Sequence, residues 1–262
     1  MPPGNESRKR ASALVSMSSD TLLLCGASSD IGLALLGRLS SDPQAPRVIA
    51  HCYRGAGRVG AIASRFGERL LPLEADLSSE DGCSLLVERV RSHGWSPTQF
   101  VHLSALPMKY ARFEQFDWAR FLSDLEIQVG ALVRLLPHWL PRPRRSGSLR
   151  NVVVVSSSVT LGVPPKYMSM YTAVKYAQLG LIRSLAAEGA ERGVVANVVS
   201  PSMVETRFLD EIPRTARELA AAASPLGRNA SADEVAEVLH FLLTCRPLLN
   251  GANIPLGGGA IF

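Results

Sequence analysis

From Asn151 to Ser156 the chain reads Asn-Val-Val-Val-Val-Ser, a β-branched apolar run too short for a core helix and lacking the alternation of a half-exposed strand. A strand of that kind is buried on both faces, as in a parallel sheet covered by helices. Further strand candidates are Thr21–Cys25, Arg47–Cys52, Leu70–Leu73, Phe100–Leu103, Val194–Val199 and Ala252–Pro255. Amphipathic or capped segments lie between them, near residues 30–40, 55–66, 79–92, 117–136, 169–192 and 231–244. Ser231-Ala-Asp-Glu234 has the form of a capping box opening the last of these. Strands alternating with helices through right-handed crossovers predict one α/β domain over residues 20–262. It is a doubly wound, three-layer Rossmann fold around a seven-stranded parallel sheet. No internal repeat or second domain is visible.

Residues 1–19 read as a disordered basic tail without the long apolar segment of a secretory signal, and Met17 is an alternative start. The net charge of +5 comes largely from Arg8, Lys9 and Arg10 in that tail and from Arg142, Arg144 and Arg145 in a proline-rich loop. Removing those six of the 28 basic residues leaves 22 against 23 acidic ones, so the body is near neutral and a nucleic-acid face is not expected. No apolar stretch is long enough to span a membrane. Cys25, Cys52, Cys83 and Cys245 are scattered, without metal-ligand spacing, which predicts buried thiols, no metal site and a reducing cytoplasm.

Two local patterns carry chemistry. The first candidate strand runs into Gly26-Ala-Ser-Ser-Asp-Ile-Gly32 and then a helix. Gly26 permits a tight turn, Gly32 close helix–strand packing, and the free N–H groups at the helix start suit a pyrophosphate. The second is Tyr171-Thr-Ala-Val-Lys175, with Ser158 thirteen residues before the tyrosine. A phenol and an ammonium four residues apart share a helix face, and a hydroxyl at the end of the preceding strand can converge on them. A nearby cation favours the phenolate and so makes a tyrosine usable as an acid or base near neutral pH.

Taken together, Gly26 to Gly32, Asp76-Leu77, Ser158, Tyr171 and Lys175, Asn197, Pro201-Ser202 and Thr206 resemble the short-chain dehydrogenase/reductase family. The segment from Pro225-Leu-Gly-Arg228 to Gly258-Gly259 adds to that likeness, particularly to 3-oxoacyl-thioester reductases. The resemblance implies that Tyr171 donates a proton to a substrate carbonyl as hydride arrives from a nicotinamide. It further implies that Lys175 lowers the tyrosine pKa and holds the nicotinamide ribose, and that Ser158 orients the carbonyl. Gly26, Ser28, Ser29, Asp30, Ile31, Gly32, Asp76, Leu77, Ser104, Ala105, Pro201, Ser202 and Thr206 would line the cofactor, with Asp76 on the adenine amino group. Where NAD-preferring relatives have an acidic residue, after the second strand, this chain has Tyr53-Arg54, so Arg54 is expected to pair with a 2′-phosphate and NADP(H) is favoured over NAD(H).

Several positions depart from the family pattern. Asp30 replaces the middle glycine, and a carboxylate there repels a pyrophosphate unless it turns back to cap the helix. Capping is expected, with impaired cofactor binding as the alternative. His102-Leu-Ser-Ala105 replaces the family's Asn-Asn-Ala-Gly, and His102 is read as structural. The family's helical asparagine, which holds a relay water, has no identical counterpart; Gln128 stands in its place and either holds that water or is an ordinary helix-surface glutamine. Residues 203–225 are expected to form a mobile helical lid, with Met203, Phe208 and Leu209 joining Met108 and Tyr110 around an apolar pocket. Arg207, Arg214 and Arg217 either greet an acidic carrier or phosphopantetheine, or are solvated surface. The expected activity is NADP(H)-dependent hydride transfer to or from a carbonyl or alcohol, a 3-oxoacyl thioester or a biosynthetic ketone included. A non-catalytic dinucleotide-binding protein and a sugar-nucleotide-modifying relative are the alternatives. A homodimer or homotetramer is expected from the resemblance alone.

Overall fold

The computed structural model describes residues 20–141, 147–244 and 248–259. The expected tail, the arginines at 142, 144 and 145, and Cys245 therefore lie outside the described residues. Seven strands form one parallel sheet in the order β3-β2-β1-β4-β5-β6-β9. They are β1 (Thr21–Cys25), β2 (Arg47–Cys52), β3 (Leu70–Glu74), β4 (Gln99–His102), β5 (Asn151–Val155), β6 (Val195–Pro201) and β9 (Asn253–Leu256). Two-residue strands β7 (Val204–Glu205) and β8 (Ala230–Ser231) pair outside this sheet and carry no sequence signal of their own.

Successive residues of a strand point to opposite faces, and here both faces are apolar. Val152 and Val154 join one core with Phe100, Leu132, Leu135 and Ile182, whereas Val153 joins the other with Leu35, Leu39, Val235 and Leu239. On the first side pack α3 (Glu80–Ser92), α5 (Ala131–Leu135) and α6 (Ser169–Gly189); on the second, α1 (Asp30–Ser41), α2 (Ala56–Ala63) and α8 (Ala232–Thr244). The capping box of α8 forms as read: Ser231 N donates to Glu234 at 2.8 Å and Glu234 N to the Ser231 hydroxyl at 3.2 Å. At the amino edge of the sheet, amides of Gln99, Asn151 and Asn197 donate to the carbonyls of Leu243, Leu242 and Leu249, each at 2.9 Å.

Helix 117–136 is not continuous. It consists of α4 (Trp118–Leu125), a π turn at Glu126–Gly130, α5 and a final 3-10 turn at Leu136–His138. A π turn widens the helix and releases a backbone carbonyl from the ladder. Here the carbonyl of Ile127 accepts from His102 Nε2 at 3.0 Å, which ties the helix to the end of β4. The lid region resolves into β7, a 3-10 turn at Arg207–Leu209 and α7 (Arg214–Ala223).

Because β1 pairs with β2 on one side and β4 on the other, the chain reverses its winding direction at β1. In such a sheet the crevice beyond the carboxyl ends of these strands is where ligands bind. Both chemical motifs emerge at that edge.

Candidate active site

The first motif builds the turn between β1 and α1. Gly26 has φ +83, and a Cβ there would meet Ser104 N at 2.9 Å, so the loop after β4 lies directly against it. A Cβ on Gly32 would stand 2.6 Å from the Ala27 carbonyl, which explains why α1 packs so tightly on its own turn. The helix cap is Ser29, whose hydroxyl accepts from Gly32 N at 3.0 Å. Asp30 therefore does not cap, contrary to expectation. Its Oδ1 accepts from Arg58 Nη2 at 2.7 Å and Arg207 Nε at 3.1 Å, and its Oδ2 accepts from Arg207 N at 2.7 Å. A carboxylate with two arginines in reach serves them better than it serves a backbone amide that serine already satisfies.

Arg54 stacks on Tyr53, 4.7 Å from the ring centre, and donates to its hydroxyl at 3.0 Å. Its guanidinium remains exposed at the carboxyl end of β2. Asp76 Oδ1 accepts from the backbone and hydroxyl of Ser78 at 2.9 and 2.6 Å, and Leu77 is buried in the core.

The second motif lies across the crevice. A cavity of about 200 Å³ is lined by Ser156, Ser157, Ser158, Tyr171, Lys175 and Thr206, with Met108, Met168, Met203, Phe208 and Leu209 as apolar walls. Ile31, Ala105, Pro201 and Ser202 also reach it, so the cavity adjoins the phosphate turn. Lys175 is buried and donates to the Val155 carbonyl at 3.0 Å, with its nitrogen 5.5 Å from the centre of the Tyr171 ring. Burial lowers its pKa to about 8, against the pull of Asp124. The Tyr171 phenol is pushed up to about 12 by burial, with a smaller rise from Asp124 and a lowering from its hydrogen bond with Ser157. The anticipated lowering by Lys175 does not figure in this arrangement. Desolvation of the phenolate dominates, and the ammonium engages a carbonyl.

Two groups escaped the sequence reading. Ser157 joins Ser158 in lining the cavity, and its hydroxyl lowers the phenol pKa. Asp124 on α4 accepts from Leu106 N at 2.9 Å and from Gln128 Nε2 at 2.8 Å, so it joins the helix to the loop after β4. Gln128 is fully buried, and its Oε1 has no partner among the described residues, which removes the surface reading. His102 is buried, stacked on Phe100 and held neutral, its pKa lowered to about 3 chiefly by burial.

The profile described as "Enoyl-(Acyl carrier protein) reductase" matches residues 31–260. The chain belongs to the short-chain dehydrogenase/reductase family. Among relatives, cis-4-hydroxycyclohexanecarboxylate dehydrogenase of Sinomonas cyclohexanicum is 29% identical over 238 residues, covering 90% of this chain and 94% of its own. A 3-oxoacyl-[acyl-carrier-protein] reductase of Pseudomonas aeruginosa is 26% identical, covering 94% and 98%. The fold agrees with that of a short-chain dehydrogenase/reductase from Brucella melitensis, at TM-score 0.81 and 23% identity over 94% of this chain and 98% of that one. Levodione reductase gives TM-score 0.80 at 23% identity, over 93% and 98%.

As a member of an oxidoreductase family that uses a nicotinamide cofactor, the chain keeps a turn that fits such a group. Side chains are excluded at Gly26 and Gly32, and cations stand beside the carbonyl of Ser28. Of the lid arginines, Arg207 pairs with Asp30, Arg214 with Glu218 at 2.7 Å, and Arg217 lies 3.6 Å from Glu205.

Proposed function

We propose that the protein is an NADP(H)-dependent oxidoreductase that interconverts a ketone and a secondary alcohol. The observation that carries this reading is the convergence of half-buried Tyr171 with buried Lys175 and Ser157 beyond the end of β5, in an apolar cavity that adjoins the phosphate turn. A bound nicotinamide dinucleotide supplies or accepts the hydride. The phosphate turn, Ser104, Ala105, Pro201, Ser202, Thr206 and the Lys175 amine would hold it. Tyr171 Oη gives its proton to the substrate oxygen, or takes one from it, and the Ser157 hydroxyl orients that oxygen with Ser158 beside it. A phenol with a high pKa is a poor donor until charge develops on the oxygen facing it. A buried ammonium that loses its proton near pH 8 is well suited to relay one. Gln128, held by Asp124, would fix a relay water through its unpartnered Oε1.

NADP(H) is favoured because β2 ends in Tyr53-Arg54 with an exposed guanidinium and no carboxylate on that strand end. The apolar walls suit a neutral ketone, and a homodimer or homotetramer remains part of this reading. The test is nicotinamide fluorescence on titration with NADPH and NADH, followed by turnover of a ketone panel. Tighter binding and turnover with NADPH support the reading; binding of neither dinucleotide returns the chain to a scaffold without this chemistry.

A further inference from the structure

We propose that Asp30 is a positioning residue that sets Arg58 and Arg207 as two phosphate-binding arms beside the turn between β1 and α1. This rests on the dinucleotide reading above. Arg58 comes from α2 and Arg207 from the segment after Thr206, 177 residues beyond Asp30 in sequence. Both converge on the same two acceptors. Arg58 bonds Asp30 at 2.7 Å and the Ser28 carbonyl at 2.5 Å, while Arg207 bonds Asp30 at 3.1 Å and the same carbonyl at 3.3 Å. Arg207 N also donates to the other Asp30 oxygen at 2.7 Å.

The charge balance of this trio favours an anion. One carboxylate against two guanidinium groups leaves a net positive charge at a turn built for phosphate. Each guanidinium fork has more N–H groups than these contacts use, so both can still donate to a phosphate oxygen. Long arginine side chains lose rotamer freedom when they bind a ligand, and arms already fixed by Asp30 avoid most of that loss. The opposing physical possibility is a carboxylate that repels phosphate and merely occupies its donors. The two predict opposite signs for one substitution.

The full-length protein and its Asp30→Gly, Asp30→Asn, Arg58→Ala and Arg207→Ala variants are titrated with NADPH by nicotinamide fluorescence, with thermal unfolding recorded for each. Each single variant is expected to raise Kd about tenfold, and Asp30→Asn combined with Arg207→Ala to lose much less than the sum of the two. At saturating dinucleotide kcat should stay within about twofold while the dinucleotide KM follows Kd, which a general loss of structure would not produce. Unchanged or tighter binding by Asp30→Gly overturns the proposal. If that variant does not fold, unchanged Kd in both arginine variants overturns it instead. Wild-type protein that binds neither NADPH nor NADH removes the dinucleotide reading itself, a result distinct from any difference among variants.

Discussion

Lys175 Nζ lies 5.5 Å from the centre of the Tyr171 ring and gives its hydrogen bond to the carbonyl of Val155, the last residue of β5. The amine is thus fixed to the sheet as firmly as to its own helix, and its charge is held where burial disfavours it.

That placement makes Lys175 a stability cost at neutral pH. Its folded pKa of about 8 lies below the ordinary 10.5, so the penalty is full below pH 8 and fades as pH rises toward 10.5. Lys175→Met is expected to raise stability at pH 7 by about 1–3 kcal/mol while abolishing turnover. Urea unfolding of both proteins at pH 7 and pH 10 checks this, and the difference should shrink at the higher pH.

The hydroxyl next to Tyr171 can be assigned by mutation. Tyr171→Phe should lower kcat roughly 10²–10⁴-fold with dinucleotide Kd nearly unchanged. Ser157→Ala should cost about 10²-fold and Ser158→Ala much less, since the Ser157 hydroxyl is the one that lowers the phenol pKa. Steady-state kinetics on any ketone turned over by the wild type will rank the two serines.

Acid should unfold the protein through two histidines. His51 donates from Nε2 to the Ala75 carbonyl at 3.0 Å, and His102 to that of Ile127, and burial lowers their pKa values to about 4 and about 3. The unfolded chain protonates both near pH 6.5 whereas the fold does not, so stability falls as pH drops below 6.5. The slope should approach two protons, roughly 2.7 kcal/mol per pH unit between about pH 5.5 and 4.5. Replacing either histidine by glutamine should remove about one proton from that slope in pH-dependent urea unfolding.

Gly32→Ala should destabilise the chain by about 1–3 kcal/mol, because the added methyl would lie 2.6 Å from the Ala27 carbonyl and backbone must move. Thermal unfolding without dinucleotide isolates this effect from any change in ligand binding.

What could be read in advance divides along physical lines. The Val152–Val155 run showed its two-sided burial directly, since each valine had to face one core or the other. Gly26 and Gly32 were legible because only glycine solves the local problem they pose. Asp30 was misread because its partners, Arg58 and Arg207, come from distant segments, and no local pattern signals an ion pair across that separation. Spacing alone could not rank Ser157 against Ser158, since both follow the end of β5 and both line the cavity. The π turn at Glu126–Gly130 leaves the apolar pattern of its helix intact, so only the bond from His102 to Ile127 reveals it.

The three amides at the sheet's amino edge tie the end of α8 and the stretch after it to the strand beginnings. Shortening the protein before Leu249 would take the acceptor from Asn197 of β6, while Gln99 and Asn151 would keep theirs in α8. Loss of β9 would also make β6 the edge of the sheet, so the damage should reach a strand buried in the native fold rather than stop at a frayed end.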